Sequence, residues 1–319
     1  MLNEILARRV LILLGKGGVG KSTLSAAIAK LATGSNARAL IMECDARAPL
    51  AATFGVEPSF APTEVAPNLA LMTLDGRAAL EEYLRLVVPS RMLLKAVFAS
   101  RLYQFFVQAA PGLRELMMLG KVYYEAGRDG AKPPARHIIV VDAPASGQAM
   151  SLLKMPTAAR ATFGDSIVGK EASNISKMMH DRRNCAIIQI TTADSLSISE
   201  TIETHAQLSK IHLAPAAVIF NRMPPTEFDA ADISALTNRR GPGLRKKNLE
   251  HLAELAKSEL NRATEARKAL VRIRSETGGP VLEIAEHSSL SGIELIDRIA
   301  EDLARYRENE SAPRAAHRR

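Results

Sequence analysis

The apolar positions of this chain fall in short continuous runs rather than in alternation. The clearest are residues 10–14 (VLILL), 37–43 (ARALIME), 69–74, 137–142 (HIIVVD), 185–191, 216–220 and 281–284. Such runs, bounded by turn-forming residues, predict strands buried on both faces, as a parallel sheet requires. Helix-forming stretches lie between them: after residue 24, through most of 77–125, and over 247–275, where Leu249, Leu252, Leu255 and Leu260 recur at helical spacing. Strands alternating with helices predict an α/β fold, a doubly wound, mostly parallel sheet with a helical insertion at about 77–130. We expect one domain over 1–305 and a disordered basic tail over 306–319.

Composition narrows the class. The chain has 319 residues, 47% of them hydrophobic and 24% charged, enough for a substantial core in an ordinary globular protein. No apolar stretch approaches the ~18–20 residues that span a bilayer. Residues 1–4 (MLNE) begin no signal-peptide pattern, so a cytoplasmic protein without a transmembrane segment is expected. Cys44 and Cys185 are too few for a disulfide framework or a metal clip, and neither zinc nor an iron–sulfur cluster is expected.

The formal net charge of +8 is concentrated locally, in Arg239, Arg240, Arg245, Lys246 and Lys247 around a Gly-Pro-Gly turn, and in Arg314, Arg318 and Arg319 of the tail. No aromatic residues interleave with them and Trp is absent, so they read as solvated clusters, and nucleic acid is not an expected partner. The insertion carries Met92, Phe98, Tyr103, Phe105, Phe106, Met117, Met118, Tyr123 and Tyr124. These read first as core, and otherwise as an adaptable groove for an apolar client.

The candidate chemistry begins at residues 15–23, Gly-Lys-Gly-Gly-Val-Gly-Lys-Ser-Thr, between the first strand and the first long helix. A strand, a glycine-rich loop and a helix in that order form a P-loop. Backbone N–H groups of Gly15, Gly17, Gly18, Val19 and Gly20 are expected to cradle phosphate oxygens, with Thr23 beside them. Lys21 is expected to neutralise the β- and γ-phosphates and Ser22 to meet Mg²⁺. The predicted cofactors are therefore ATP and Mg²⁺. Asp45 follows the second strand, placed either to orient and deprotonate an attacking water or simply to form a turn. Asp142 ends an apolar strand as an acid that holds Mg²⁺ through water does.

Lys16, directly after the first glycine, is not needed by an ordinary P-loop. The form GKGGxGK[ST] resembles that of dimeric ATPases whose extra lysine reaches the partner's nucleotide: ArsA-type arsenite ATPases, MinD, ParA and the nitrogenase iron protein. Residues 142–156 (DAPASGQAMSLLKMP) look like the switch II element of the ArsA-like branch, with Gly147 as its flexible point. The resemblance spans most of the chain and implies an ATPase that opens and closes as a homodimer or as a heterodimer with a paralogue. It implies Lys16, Lys21 and Asp45 as catalytic, and Asn221 with Arg222 at the adenine; Asn221 also suits a plain strand-end turn. A protein or membrane client is implied. The alternatives are a MinD- or ParA-like positioning ATPase on membrane or DNA, and the energising subunit of an arsenite-type anion efflux system. Three departures stand out. Gln148 replaces the family's usual His, residues 45–47 read Asp-Ala-Arg in place of Asp-Pro-Ala, and the CxxC of the targeting ATPases is missing.

Overall fold

The computed structural model describes residues 2–34, 37–88, 90–101, 112–127, 138–225, 228–238 and 246–311. Its centre is an eight-stranded sheet. The strands are β1 (Val10–Leu14), β2 (Ala39–Glu43), β3 (Thr63–Ala66), β4 (Leu69–Thr73), β5 (Ile138–Asp142), β6 (Cys185–Thr191), β7 (Ala217–Met223) and β8 (Val281–Ala285). They lie in the order β3-β4-β2-β5-β1-β6-β7-β8, and every neighbouring pair is parallel except β3 with β4. The run VLILL is β1, flanked on both sides and buried throughout, which is why it carries no polar alternation.

The helices are α1 (Leu2–Leu6), α2 (Lys21–Thr33), α3 (Pro49–Phe54), α4 (Gly76–Val87), α5 (Arg91–Ala99), α6 (Leu113–Glu125), α7 (Ser146–Phe163), α8 (Ile167–His180), α9 (Ser195–Lys210), α10 (Ala230–Asn238), α11 (Lys246–Thr277) and α12 (Gly292–Ser311). Because strand side chains alternate between faces, Ile12, Met42 and Val141 pack against Leu119 and Val122 of α6, Leu152 of α7 and Ile175 of α8. Leu11, Leu13, Ile41 and Val140 pack on the opposite face, against Leu24 and Ile28 of α2 and Ile299 and Leu303 of α12. Each such aliphatic side chain removed from water contributes roughly 1.5–3 kcal/mol before entropy is counted. A smaller cluster joins Ile198 of α9, Phe220 of β7 and Ile273 of α11.

Three details differ from the sequence expectation. Strand β3 was not anticipated: Thr-Glu-Val-Ala is short and only half-buried, and it pairs antiparallel at the sheet edge. The tail does not begin at 306, because α12 continues to Ser311. Tyr306 packs on the α2-side core and its hydroxyl meets the Glu283 N–H at 3.4 Å, while Arg307 donates to the Asn3 side chain at 2.7 Å. Residues 312–319, with the basic cluster at 314–319, lie outside the described residues. On α11 the buried face is formed by Ala253, Ala256, Ala263, Ala266, Leu270 and Ile273, while Leu252 and Leu255 of the leucine spacing are exposed. In the insertion, Met117 and Tyr123 are core and Met92 is exposed. Tyr103, Phe105 and Phe106 fall outside the described residues, as do Arg239, Arg240 and Arg245.

Candidate nucleotide site

The carboxyl ends of β1, β2, β5, β6 and β7 converge where residues 15–20 turn into α2, the edge at which open α/β sheets bind ligands. Two glycines of the loop are required by contact. A Cβ on Gly15 would lie 2.4 Å from the Ile190 carbonyl oxygen, and one on Gly20 would lie 2.5 Å from Asn221 Nδ2. Gly20 also has a left-handed backbone, with φ of +93°. It caps α2 without a side chain, and the first turn of that helix holds no acid. The first N–H groups of α2 and the positive end of its dipole are thus left for an anion. Gly17 and Gly18 are exposed, with Val19 buried beneath them.

Lys21, on the first turn of α2, donates through Nζ to the Lys16 carbonyl at 3.2 Å. Burial lowers its pKa, against the attraction of Asp142, Glu200 and Asp45. Asp142, at the end of β5, is 3% exposed. Its Oδ2 accepts from Ser22 Oγ at 2.6 Å and its Oδ1 from Ser25 Oγ at 3.2 Å. Burial raises its pKa, opposed by those two hydroxyls and by Lys21. The structure therefore brings Lys21, Ser22 and Asp142 into one cluster, and adds Ser25.

Asp45 lies just past β2, and Arg47 holds both of its oxygens. Oδ1 accepts from the Arg47 backbone N–H at 2.9 Å and from Nε at 3.1 Å, and Oδ2 accepts from the guanidinium at 2.7 Å. These bonds hold the carboxyl below the usual range. Arg47 itself is 88% exposed. The departure from Asp-Pro-Ala thus has a local effect: a guanidinium sits on the carboxylate.

Lys16, which an ordinary P-loop does not need, has a partner within its own chain: its Nζ lies 2.9 Å from Asp194 Oδ2. Asp194 follows β6 and caps α9, and the same oxygen accepts from the Ser197 N–H at 3.0 Å and from Ser197 Oγ at 2.9 Å. Lys16 and these hydrogen bonds hold the Asp194 carboxyl well below its ordinary value. Asp194 was missed by sequence reasoning. The available signal was an Asp-x-x-Ser cap just beyond an apolar strand.

Asn221 is buried at the end of β7 and donates Nδ2 to the Val19 carbonyl at 2.8 Å. It acts as a clamp on the P-loop turn. Arg222 beside it is exposed, with φ of +57°. Both line an open cleft of about 200 Å³ together with Gly20, Thr23, Glu286, His287 and Ser288. The segment 286–288 after β8 was also missed. His287 is held to Asp302 at 2.6 Å and Glu286 to Arg262 at 2.5 Å, so the wall of the cleft is tied to α12 and α11.

In the switch segment, Ser146 starts α7, so Gly147 is already helical, with open space at its Cα, and Gln148 is exposed on the same turn. Glu43, the last residue of β2, is fully buried. Its Oε1 accepts from the Leu50 N–H of α3 at 2.6 Å. Burial, with Asp142 and Asp45 nearby, pushes its pKa up to about 7 against the backbone N–H groups of Leu50 and Ala51. Among the described residues no three His, Cys, Asp or Glu side chains form a metal cage. A hard dication that keeps most of its waters needs only the Ser22 hydroxyl and the Asp142 carboxylate, and those two groups fit Mg²⁺. Cys44 follows the carboxyl end of β2 while Cys185 opens β6 at its amino end, so the two thiols are no pair. No described helix is long and apolar enough to cross a membrane.

Comparison with known proteins agrees with this architecture. The family model for anion-transporting ATPases (ArsA) matches residues 8–170. ATPase BagA of Mycobacterium tuberculosis is 29% identical over 233 residues, covering 71% of this chain and 68% of that protein. A protein of Aquifex aeolicus, named as a candidate arsenical pump-driving ATPase 1, is 25% identical over 161 residues, covering 47% of this chain and 38% of its own. The matched region holds the P-loop, Asp45, Asp142 and the switch segment, and with the sheet order and the loop geometry it places the chain in the anion-transporting ATPase (ArsA) family.

Proposed function

We propose that the chain binds and hydrolyses ATP with Mg²⁺ as a dimer, and that nucleotide-driven opening and closing acts on a protein or membrane client. The observation that carries this is the join of β1 to α2: a loop in which Gly15 and Gly20 leave no room for a Cβ, a helix N-terminus without a side-chain cap, and Lys21 and Ser22 beside buried Asp142. The N–H groups of the loop and α2 bind the polyphosphate, and Lys21 exchanges the Lys16 carbonyl for phosphate oxygens. Ser22 Oγ and Asp142 would hold Mg²⁺, the latter through water, and the ion would offset charge on the β- and γ-phosphates. Asp45 orients the attacking water. Held low by Arg47, it positions the water more readily than it retains the proton. Asn221 keeps the loop in shape and lines the cleft, where the exocyclic amine of adenine would donate to its amide oxygen.

Lys16 exchanges Asp194 for the phosphate of a facing copy, supplying the charge that an arginine finger gives elsewhere. A two-fold axis makes that contact reciprocal. The efflux alternative draws support only from the names of the family and of the Aquifex relative. Metalloid capture needs soft thiolates close together, and Cys44 lies past the carboxyl end of β2 while Cys185 lies at the amino end of β6. The test is ATP turnover measured alongside light scattering with a non-hydrolysable ATP analogue and with ADP. A dimer that forms with the analogue and relaxes with ADP is expected. A particle that hydrolyses ATP without changing mass removes the dimer, and one that binds no nucleotide removes the whole proposal.

A further inference from the structure

Glu43 is a buried acid with only half of its bonding met. Its Oε1 caps the start of α3 through the Leu50 N–H, but Oε2 is buried and has no hydrogen-bond partner. Capping needs a single acceptor, which a glutamine would provide without the cost of burying a carboxyl group. The second oxygen therefore needs another explanation, and its surroundings suggest one. Glu43 and Asp142 are register partners on the parallel strands β2 and β5, so their side chains leave the same face of the sheet, the α2 face. Both oxygens of Asp142 are already engaged by Ser22 and Ser25. Two neighbouring acids at a strand end, one with an unsatisfied oxygen, ask for positive charge beyond what Lys21 supplies.

We propose that Glu43 is an outer-sphere carboxylate of the divalent-cation site, meeting a metal-bound water with Oε2 while Oε1 anchors the loop that carries Asp45. The proposal rests on the nucleotide reading above. It gives Glu43 two linked tasks. The short segment from Asp45 to Ala48 is held at its far end by α3, and α3 is held by Glu43. Arrival of the cation is then felt at the water-orienting Asp45 through one side chain.

The test uses Mn²⁺ as the probe, titrated into the ADP complex of the full chain and followed by electron paramagnetic resonance of the free ion. ADP affinity is measured separately in EDTA with a fluorescent ADP analogue. Glu43→Gln keeps an acceptor for the Leu50 N–H and removes the charge. It should fold with a melting midpoint no lower than the parent's, bind ADP in EDTA as the parent does, and lose about tenfold in Mn²⁺ affinity. Glu43→Ala, which also loses the anchor, should in addition be cut faster by trypsin at Arg47. An unchanged Mn²⁺ affinity in Glu43→Gln, with ADP bound, overturns the proposal alone. A parent protein that binds no ADP overturns the nucleotide reading and this proposal with it.

Discussion

Lys16 Nζ and Asp194 Oδ2 stand 2.9 Å apart, joining the P-loop to the cap of α9 across the mouth of the site. Pairs this exposed are worth at most about 1 kcal/mol, a cost that a phosphate contact in the proposed closed dimer would overcome. Asp194→Asn keeps a good helix cap while releasing the lysine. Its association in the presence of the ATP analogue should tighten by up to about fivefold at low salt, as read by light scattering. Lys16→Ala should still bind ATP and lose both hydrolysis and ATP-dependent association. Association of Asp194→Asn equal to that of the parent at low salt would show that the pair restrains nothing.

Asp45 and Arg47 give a second prediction. Asp45→Asn should bind ATP nearly as the parent does and turn over about 100-fold more slowly. Arg47 holds the Asp45 carboxyl below its ordinary range, so Arg47→Ala lets its pKa rise. The acid limb of the rate profile should then move to higher pH, where the carboxylate must still be ionised to work. A profile unchanged in Arg47→Ala would detach Asp45 from the rate. Wild-type turnover in Asp45→Asn would leave it a turn residue.

Lys21 and Asn221 should fail in different ways. Lys21→Ala loses the main cation facing the polyphosphate and should abolish nucleotide binding. Asn221→Ala breaks the bond to the Val19 carbonyl, and loss of a buried partner of this kind costs roughly 1–3 kcal/mol, so both ATP and GTP should bind more weakly. Competition between labelled ATP and GTP separates the clamp from base recognition. The parent should prefer ATP and the variant should lose that preference. A ratio that Asn221→Ala leaves untouched confines Asn221 to the clamp.

Glu43 also predicts a dependence of stability on pH. Its pKa is raised by burial from 4.5 to about 7, so the folded protein favours the protonated acid. Its contribution is fully present below about 4.5 and is lost as the pH rises through about 7. Urea unfolding in EDTA should show a fall of up to about 3 kcal/mol over that window, superimposed on the other groups. Glu43→Gln removes this component, so the variant should gain on the parent as the pH rises. Parallel curves would place the titration elsewhere.

The strands with continuous apolar runs were legible in the sequence because burial on both faces leaves no other pattern, and β6 was read with its observed ends. Strand β3 was not legible, since a half-buried edge strand of four residues resembles a loop. The last turns of α12 were hidden by Arg305, Arg307 and Glu308, whose charge suggests a tail although Tyr306 between them packs on the core. The site divides the same way. Residues contiguous in the P-loop could be read directly. Asp194 on Lys16, Asn221 on Val19 and Ser25 on Asp142 are partnerships across more than a hundred residues, visible only once the sheet order is known.

The packing of α12 on α2 has a consequence for synthesis on the ribosome. The P-loop helix is made long before α12, yet Ile296, Ile299 and Leu303, which cover its apolar side, come from that later helix. Until those residues emerge, Leu24 and Ile28 have an open flank, and the loop that α2 supports lacks its backing. A nascent or prematurely terminated chain should therefore hold nucleotide poorly. The fold would thus couple the proposed nucleotide binding to synthesis of α12, so truncation before α12 should give a protein that chaperones retain rather than one that is half active.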